Sequence, residues 1–197
     1  MINRGSDTIV RFFDTTYIAR FLLRLLGFYL LFRLANWLWI GFITPEGYYS
    51  EFLDKYLDYV SVIKASILKT GRLIAQLLGV FSQPLGDSIL QVQNGGQVRM
   101  AWACCGLEIM SFWTAFVLAD TISLRKKSYW AAGGLVAIWM INCLRIALLV
   151  IGKQKEWHML LDLDQHDLFN IVAYLLVVGL MFVYYKRNNR VLGYEVK

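Results

Sequence analysis

Charge is scarce in this chain. Only 17% of its 197 residues are Asp, Glu, Lys or Arg, against a hydrophobic share of 58%. A water-soluble domain carries about 25% charged residues, because its surface has to face water. That shortfall argues against an ordinary soluble globular enzyme. Proline is scarcer still, at two residues, and the fifteen glycines follow no repeat, which excludes collagen-like and linker-like chains. The three cysteines, Cys104, Cys105 and Cys143, are odd in number and two are adjacent, so no disulfide framework is implied. A metal site needs three or four ligands, and only two cysteines and one or two histidines fall near one another. No metal and no cofactor are expected.

What is present is apolar. Mean hydropathy is +0.50 and 15% of the residues are aromatic, a membrane protein's composition in a length that suits one domain, residues 1–197. The net charge of +6 does not point to nucleic acid, because the basic residues form clusters rather than a stripe. Arg4, Arg11, Arg20 and Arg24 lie at the front, Arg125, Lys126 and Lys127 in the middle, and Lys186, Arg187 and Arg190 at the end. Clusters that punctuate apolar runs read as cytoplasmic loops. Asp7 and Asp14 interrupt the start, so no cleavable signal peptide is expected.

A bilayer core needs about 20 apolar residues in helix. Four segments qualify: Phe21 to Ile43, Cys104 to Leu124, Tyr129 to Ile151 and Leu168 to Tyr185. Phe52 to Phe81 differs. There Asp54, Asp58, Ser61, Ala65, Lys69, Arg72 and Gln76 recur at steps of three and four, one polar stripe on a helix of period 3.6. An amphipathic helix at the membrane interface is expected. With the basic loop at Arg125 to Lys127 and the basic tail inside, the chain closes its topology with four spans only if this helix does not cross. Between it and Cys104, alternation around Asn94-Gly95-Gly96 predicts a β-hairpin pairing Val92 with Val98 and Leu90 with Met100. The fold class is therefore all-α membrane, with four to five transmembrane helices, an interfacial helix and a short extracytoplasmic hairpin.

This topology gathers reactive residues on one side. Cys104 opens the second span, Arg145 lies near the outer end of the third, and His166 precedes the fourth. A cysteine at a helix N-terminus near a guanidinium has the two features that populate a thiolate. A histidine can take a proton and return it to a leaving amine. An arginine can hold a developing oxyanion. Asn142, three residues before Arg145 on the same helical face, can orient it or add a donor. Asp164 or Asp167 can fix the tautomer of His166.

These residues carry a resemblance. Ala103-Cys104-Cys105-Gly106, then Asn142-Cys143-Leu144-Arg145, then His166 resemble the pattern of the exosortase/archaeosortase family of membrane transpeptidases. There a cysteine in Ala-Cys-Ser/Thr-Gly, an arginine in Asn-x-x-Arg and a later histidine occur in this order. The resemblance covers roughly residues 85 to 185. It implies a membrane-embedded cysteine peptidase with Cys104 as nucleophile, and cleavage of a C-terminal sorting tail through a thioester. Transfer of the new carboxyl terminus to an acceptor amine or lipid would follow. The implied substrates are secreted proteins ending in a motif, a hydrophobic helix and a basic cluster; the implied location is the inner membrane of a prokaryote, with the site facing outside. Cys105 stands where the family has serine or threonine, so the nucleophile is Cys104 or, one residue on, Cys105.

Plainer readings stand beside these. Cys143 is a small buried hydrophobe, and Cys105, about 100° around a helix from Cys104, is packing. An arginine within a span is costly, by about 3 kcal/mol near the centre, and defaults to function, although Arg145 can also snorkel to headgroups. His166 can be a solvated loop histidine, and His158 competes with it. Glu108 is structural, because a carboxylate aimed at Cys104 raises a thiol pKa. Arg33 and Asn36 form a polar pair that Asp120 or Glu108 can satisfy. From another class comes a non-catalytic assembly or lipid/polysaccharide transport component, with Arg145 binding an anionic headgroup.

Overall fold

The computed structural model describes residues 15–44, 47–93, 95–101, 105–155 and 165–189, with backbone alone at 15–17, 165–169 and 189. Four helices form an apolar bundle: α1 (Thr15–Ile43), α4 (Leu107–Ala119), α5 (Leu124–Gln154) and α6 (Gln165–Asn189). Helix α5 and residues Asn170–Asn188 of α6 are long and apolar enough to cross a membrane. In the segment expected as a span from Cys104 to Leu124, the described residues form the thirteen-residue helix α4 and a break after it, before α5 starts at Leu124. Gly106, at φ 76°, sets its start. At the other end Asp120 is extended and its carboxylate accepts the Thr121 N–H at 2.7 Å, a local bond that competes with the helix. Lys127 donates to the carbonyl of Leu118 at 2.7 Å, satisfying a helix end that lacks an internal partner.

Neighbouring helices of the bundle run antiparallel. Along α1 and α4, Phe21 meets Phe116 with ring centroids 5.8 Å apart and Tyr29 meets Phe112 at 5.9 Å. Between α4 and α5, Trp113 Nε1 donates to the Trp130 carbonyl at 3.1 Å. The same indole lies where a Cβ on Gly134 would stand, so that glycine permits the close approach. On α6 the ring of Tyr184 sits 5.0 Å from Trp130 and 5.2 Å from Phe116, and its hydroxyl donates to Asp120 at 2.5 Å. Asn36 finds a partner other than the expected carboxylates. Its amide donates to Ser111 Oγ at 2.8 Å and accepts from Tyr59 Oη at 2.9 Å. Arg33 and Glu108 are exposed.

The segment expected as one helix from Phe52 to Phe81 is two, α2 (Glu51–Leu57) and α3 (Tyr59–Leu77). Asp58 divides them, because its side chain accepts the N–H of Ser61 at 2.9 Å and caps α3. At the far end Gly79 adopts φ 83°. Gly79 donates to the Gln76 carbonyl at 3.0 Å and Val80 to the Ala75 carbonyl at 2.9 Å, the Schellman arrangement that ends a helix.

Helix α3 is amphipathic as its spacing requires. Ala65, Lys69 and Gln76 are exposed, while Val60, Ile67, Leu68, Gly71 and Ala75 are buried. Its apolar face is covered by α5, which runs alongside in the same direction. Trp139 Nε1 donates to Ser66 Oγ at 2.9 Å, and a Cβ on Gly71 would stand 2.8 Å from Cβ of Ile146. The face read as resting on the membrane interface is thus turned to protein.

A three-stranded antiparallel sheet in the order β1-β2-β3 follows, from β1 (Ser82–Pro84), β2 (Ile89–Val92) and β3 (Gln97–Arg99). The hairpin exists, but Leu90 opposes Val98 and Gln91 opposes Gln97, a register two residues from the expected one. A shift of two keeps every side chain on its face. The loop is longer because it packs: Val92 donates to the Gly96 carbonyl at 3.1 Å, and a Cβ on Gly95 would lie 3.1 Å from the Lys153 carbonyl at the end of α5. Strand β1 was not anticipated, since Pro84 cannot donate to a ladder; at the sheet edge that loss is tolerated.

Two cores result, and α5 threads both. In the bundle Trp113, Val117, Ile138, Val177 and Tyr184 pack together. Beyond them, Cys143, Ile146 and Val150 of α5 join Ile67 and Ala75 of α3 and Leu90, Val92 and Val98 of the sheet. The second core forms a cap on the bundle.

Candidate functional site

Where cap meets bundle, α5 presents Asn142 and Arg145, 4% and 8% exposed. They stand three residues apart, almost one turn, on one face of the helix. Against Asn142 sits the turn that leads into α4. The Asn142 amide reaches the carbonyl of Cys105 at 3.5 Å. Gly106 lies so close that a Cβ there would overlap Asn142 Nδ2. Its φ of 76° is a conformation glycine adopts without strain. The two sequence motifs, 37 residues apart, are therefore in contact. Asn142, expected to orient Arg145 or add a donor, makes this contact with the cysteine–glycine turn.

Cys105 is wholly buried, with Sγ 3.9 Å from the carbonyl of Ala101, and belongs to the cap core. Cys143 is wholly buried in the same core. Cys104, His158 and Asp164 lie outside the described residues. Helix α4 begins at Leu107, three residues after the cysteine that the sequence placed at its start. Of His166 and Asp167 the structure gives the backbone, in the first turn of α6.

Their height follows from helix geometry. Tyr184 of α6 meets Trp130 of α5, and the two helices run in opposite directions. At about 1.5 Å per residue, His166 lies about 27 Å along α6 from that contact and Arg145 about 22 Å along α5 in the same sense. The two positions therefore lie on the same side of that contact, toward the cap end of α5.

One residue escaped the sequence reading. Lys64 lies on the buried face of α3, between Val60 and Ile67, and is 7% exposed. Its ammonium donates to Ser88 Oγ, and the Ser88 carbonyl accepts the N–H of Met100 at 2.8 Å. This ties α3 to the strand that runs toward the cysteine pair. The signal was available: a lysine four residues after Val60 and three before Ile67 falls on the apolar face, off the polar stripe. Lys64 and Arg145 are the charged side chains buried among the described residues, both cations. Among those residues no group of three histidine, cysteine or carboxylate side chains is placed to hold a metal.

The junction can thus present a buried guanidinium one turn from an amide that fixes the backbone after a cysteine pair. That arrangement suits a negative charge forming on a carbonyl oxygen. No family model, no curated protein and no solved structure matches this chain.

Proposed function

We propose that the chain is a membrane-embedded cysteine transpeptidase that acts on the C-terminal sorting tails of secreted proteins at the outer face of a prokaryotic inner membrane. The observation that carries this reading is the contact between Asn142 and the Cys105–Gly106 turn. It puts the arginine-bearing face of α5 against the segment that bears the cysteines.

In this reading four spans cross the bilayer, and α3 stays on the outer side. It starts beside Asn36 and Trp39 of α1 and continues away from the bundle along α5, so both chain ends remain inside. The Cys104 thiolate attacks the scissile carbonyl carbon, and a C–S bond forms. The Arg145 guanidinium holds the oxyanion. The C–N bond then breaks, and the leaving amine takes its proton from the His166 imidazolium. An acceptor amine or hydroxyl gives its proton to His166, attacks the thioester and releases the thiolate. Asp167 orients the imidazole. A substrate held in the bilayer by its own helix is delivered to a site at this height.

The test follows the size of a tail-bearing secreted protein co-expressed with wild type, Cys104→Ser and Cys105→Ser. Processing is expected to stop in Cys104→Ser. Loss confined to Cys105→Ser moves the nucleophile by one residue. Processing that persists in both variants removes the peptidase assignment and leaves a non-catalytic membrane component.

A further inference from the structure

Helix α1 has a face that the described residues leave uncovered. Leu26, Leu30, Arg33 and Trp37 follow one another at steps of four, three and four, so they share one side of the helix. All four are exposed. Tyr29 and Asn36, which meet Phe112 and Ser111 of α4, point about a quarter turn away.

Arg33 is the anomaly on this face. Between Arg24 and Glu46 it is the single charged residue. It stands ten residues before Ile43, about 15 Å along the axis, which in the four-span arrangement is near mid-bilayer. Among the described residues no ion pair or hydrogen bond holds its guanidinium. Asn36, three residues on, is already engaged by Ser111 and Tyr59. A charge at that depth is costly, and charged side chains within spans pair with one another or face a polar cavity. Lipid tails give a guanidinium nothing to bond.

We infer that this face binds the transmembrane helix of a different membrane protein, one that presents an aspartate or glutamate at mid-depth. The occupant is a helix because a single segment enters hydrocarbon only when its backbone bonds to itself. Its charge follows from Arg33, whose planar fork bonds both oxygens of a carboxylate. The two leucines and Trp37 pack around that pair at the spacing of a helix–helix seam. A second copy of this chain does not fit, because a two-fold seam along the stripe sets Arg33 against Arg33. The inference rests on the membrane placement of α1 and not on the cysteine chemistry, so it holds equally for the Cys104→Ser protein.

The test uses donor-labelled full-length protein in liposomes and an acceptor-labelled synthetic helix of about 20 leucines with one central glutamate. Flotation with the liposomes is read first. Protein that stays behind denies α1 its membrane, whereas flotation without energy transfer overturns the docking face alone. Saturable transfer is expected with the glutamate helix, and a leucine in place of that glutamate should weaken binding about tenfold. Arg33→Leu, at an exposed position, should weaken it as much, and Arg33→Lys should retain part of it. Arg24→Leu removes a charge from the opposite side of the same helix and should leave binding unchanged. Equal transfer to the all-leucine helix overturns the inference, as do equal losses in Arg33→Leu and Arg24→Leu. Self-association of the protein that Arg33→Leu abolishes also overturns it, by placing a second copy on this face.

Discussion

Two glycines separate what a residue does by its backbone from what it does by the space it leaves. Gly79 and Gly106 both have positive φ, 83° and 76°. Around Gly79 nothing lies within 4 Å of where a Cβ would stand, whereas at Gly106 the Asn142 amide occupies that place. Gly79→Ala should therefore cost only the left-handed penalty, about 1–2 kcal/mol. Gly106→Ala should add a steric term of about 1–3 kcal/mol. Adding Asn142→Ala to Gly106→Ala should recover the steric part and leave the backbone part. Unfolding of the purified protein in denaturant measures each; equal losses at the two glycines would show that Asn142 does not grip the turn. The glycine of the motif was legible in the sequence, and so was the shared face of Asn142 and Arg145, because helix spacing fixes it. The partner of Asn142 was not legible, because it comes from a segment 37 residues away, and no periodicity reports a neighbour on another element. Lys64 was missed for the opposite reason: a lysine is read as solvated by default, even where its position in the stripe says otherwise.

At the scale of elements, the contact of α3 with α5 decides how the cap sits on the bundle. Its closest point is Gly71, where a Cβ would stand 2.8 Å from both Cβ and Cγ2 of Ile146 and 2.9 Å from the Cys143 carbonyl. Gly71→Ala should push α3 outward and destabilise by about 1–3 kcal/mol, the range for overpacking, although alanine is the better helix former. Ile146→Ala removes Cγ2 but not Cβ or the backbone, so the double variant should cost less than the sum of the singles. Strict additivity in a double-mutant cycle would place the two residues out of contact. Element types were legible here, since a stripe at steps of three and four means a helix whatever covers it. The covering was not. An apolar face turned to lipid and one turned to another helix have the same periodicity, and α5, hydrophobic nearly all round, gives no sign of which side α3 takes. The break at Asp58 was hidden by the stripe itself, because a capping aspartate and a solvated one occupy the same position. The two-residue offset of the hairpin was hidden because either register alternates correctly.

The whole molecule leaves large apolar side chains exposed on the bundle and on the cap. On α1 and α6, Leu22, Leu26, Leu30, Leu34, Ile171, Leu175 and Phe182 are exposed. The cap exposes Lys69, Gln76, Gln83 and Gln93, and with them Val62, Leu73, Leu77, Leu78, Phe81 and Leu85. The proposed arrangement puts a bilayer around the bundle with the cap at its outer face, and single cysteines in a Cys104→Ser background test it with a membrane-impermeant maleimide. Cys105 and Cys143 are buried and should contribute little background in folded protein. Gln83→Cys, in the cap, should be labelled in intact cells. Lys126→Cys, in the exposed basic segment at the start of α5, should be labelled only after permeabilisation, as the positive-inside rule requires. Leu175→Cys is the discriminating position. The leucine is 65% exposed on α6, so in a water-soluble protein its thiol would react as fast as that at Gln83→Cys. In hydrocarbon neither the reagent nor the thiolate is stable, and it should remain unlabelled with or without permeabilisation until detergent is added. Rapid labelling at Leu175→Cys before detergent would deny the bundle its membrane. Labelling of Gln83→Cys and Lys126→Cys from the same side would keep the membrane and overturn the four-span arrangement, and with it the placement of Arg145 and His166 at one face.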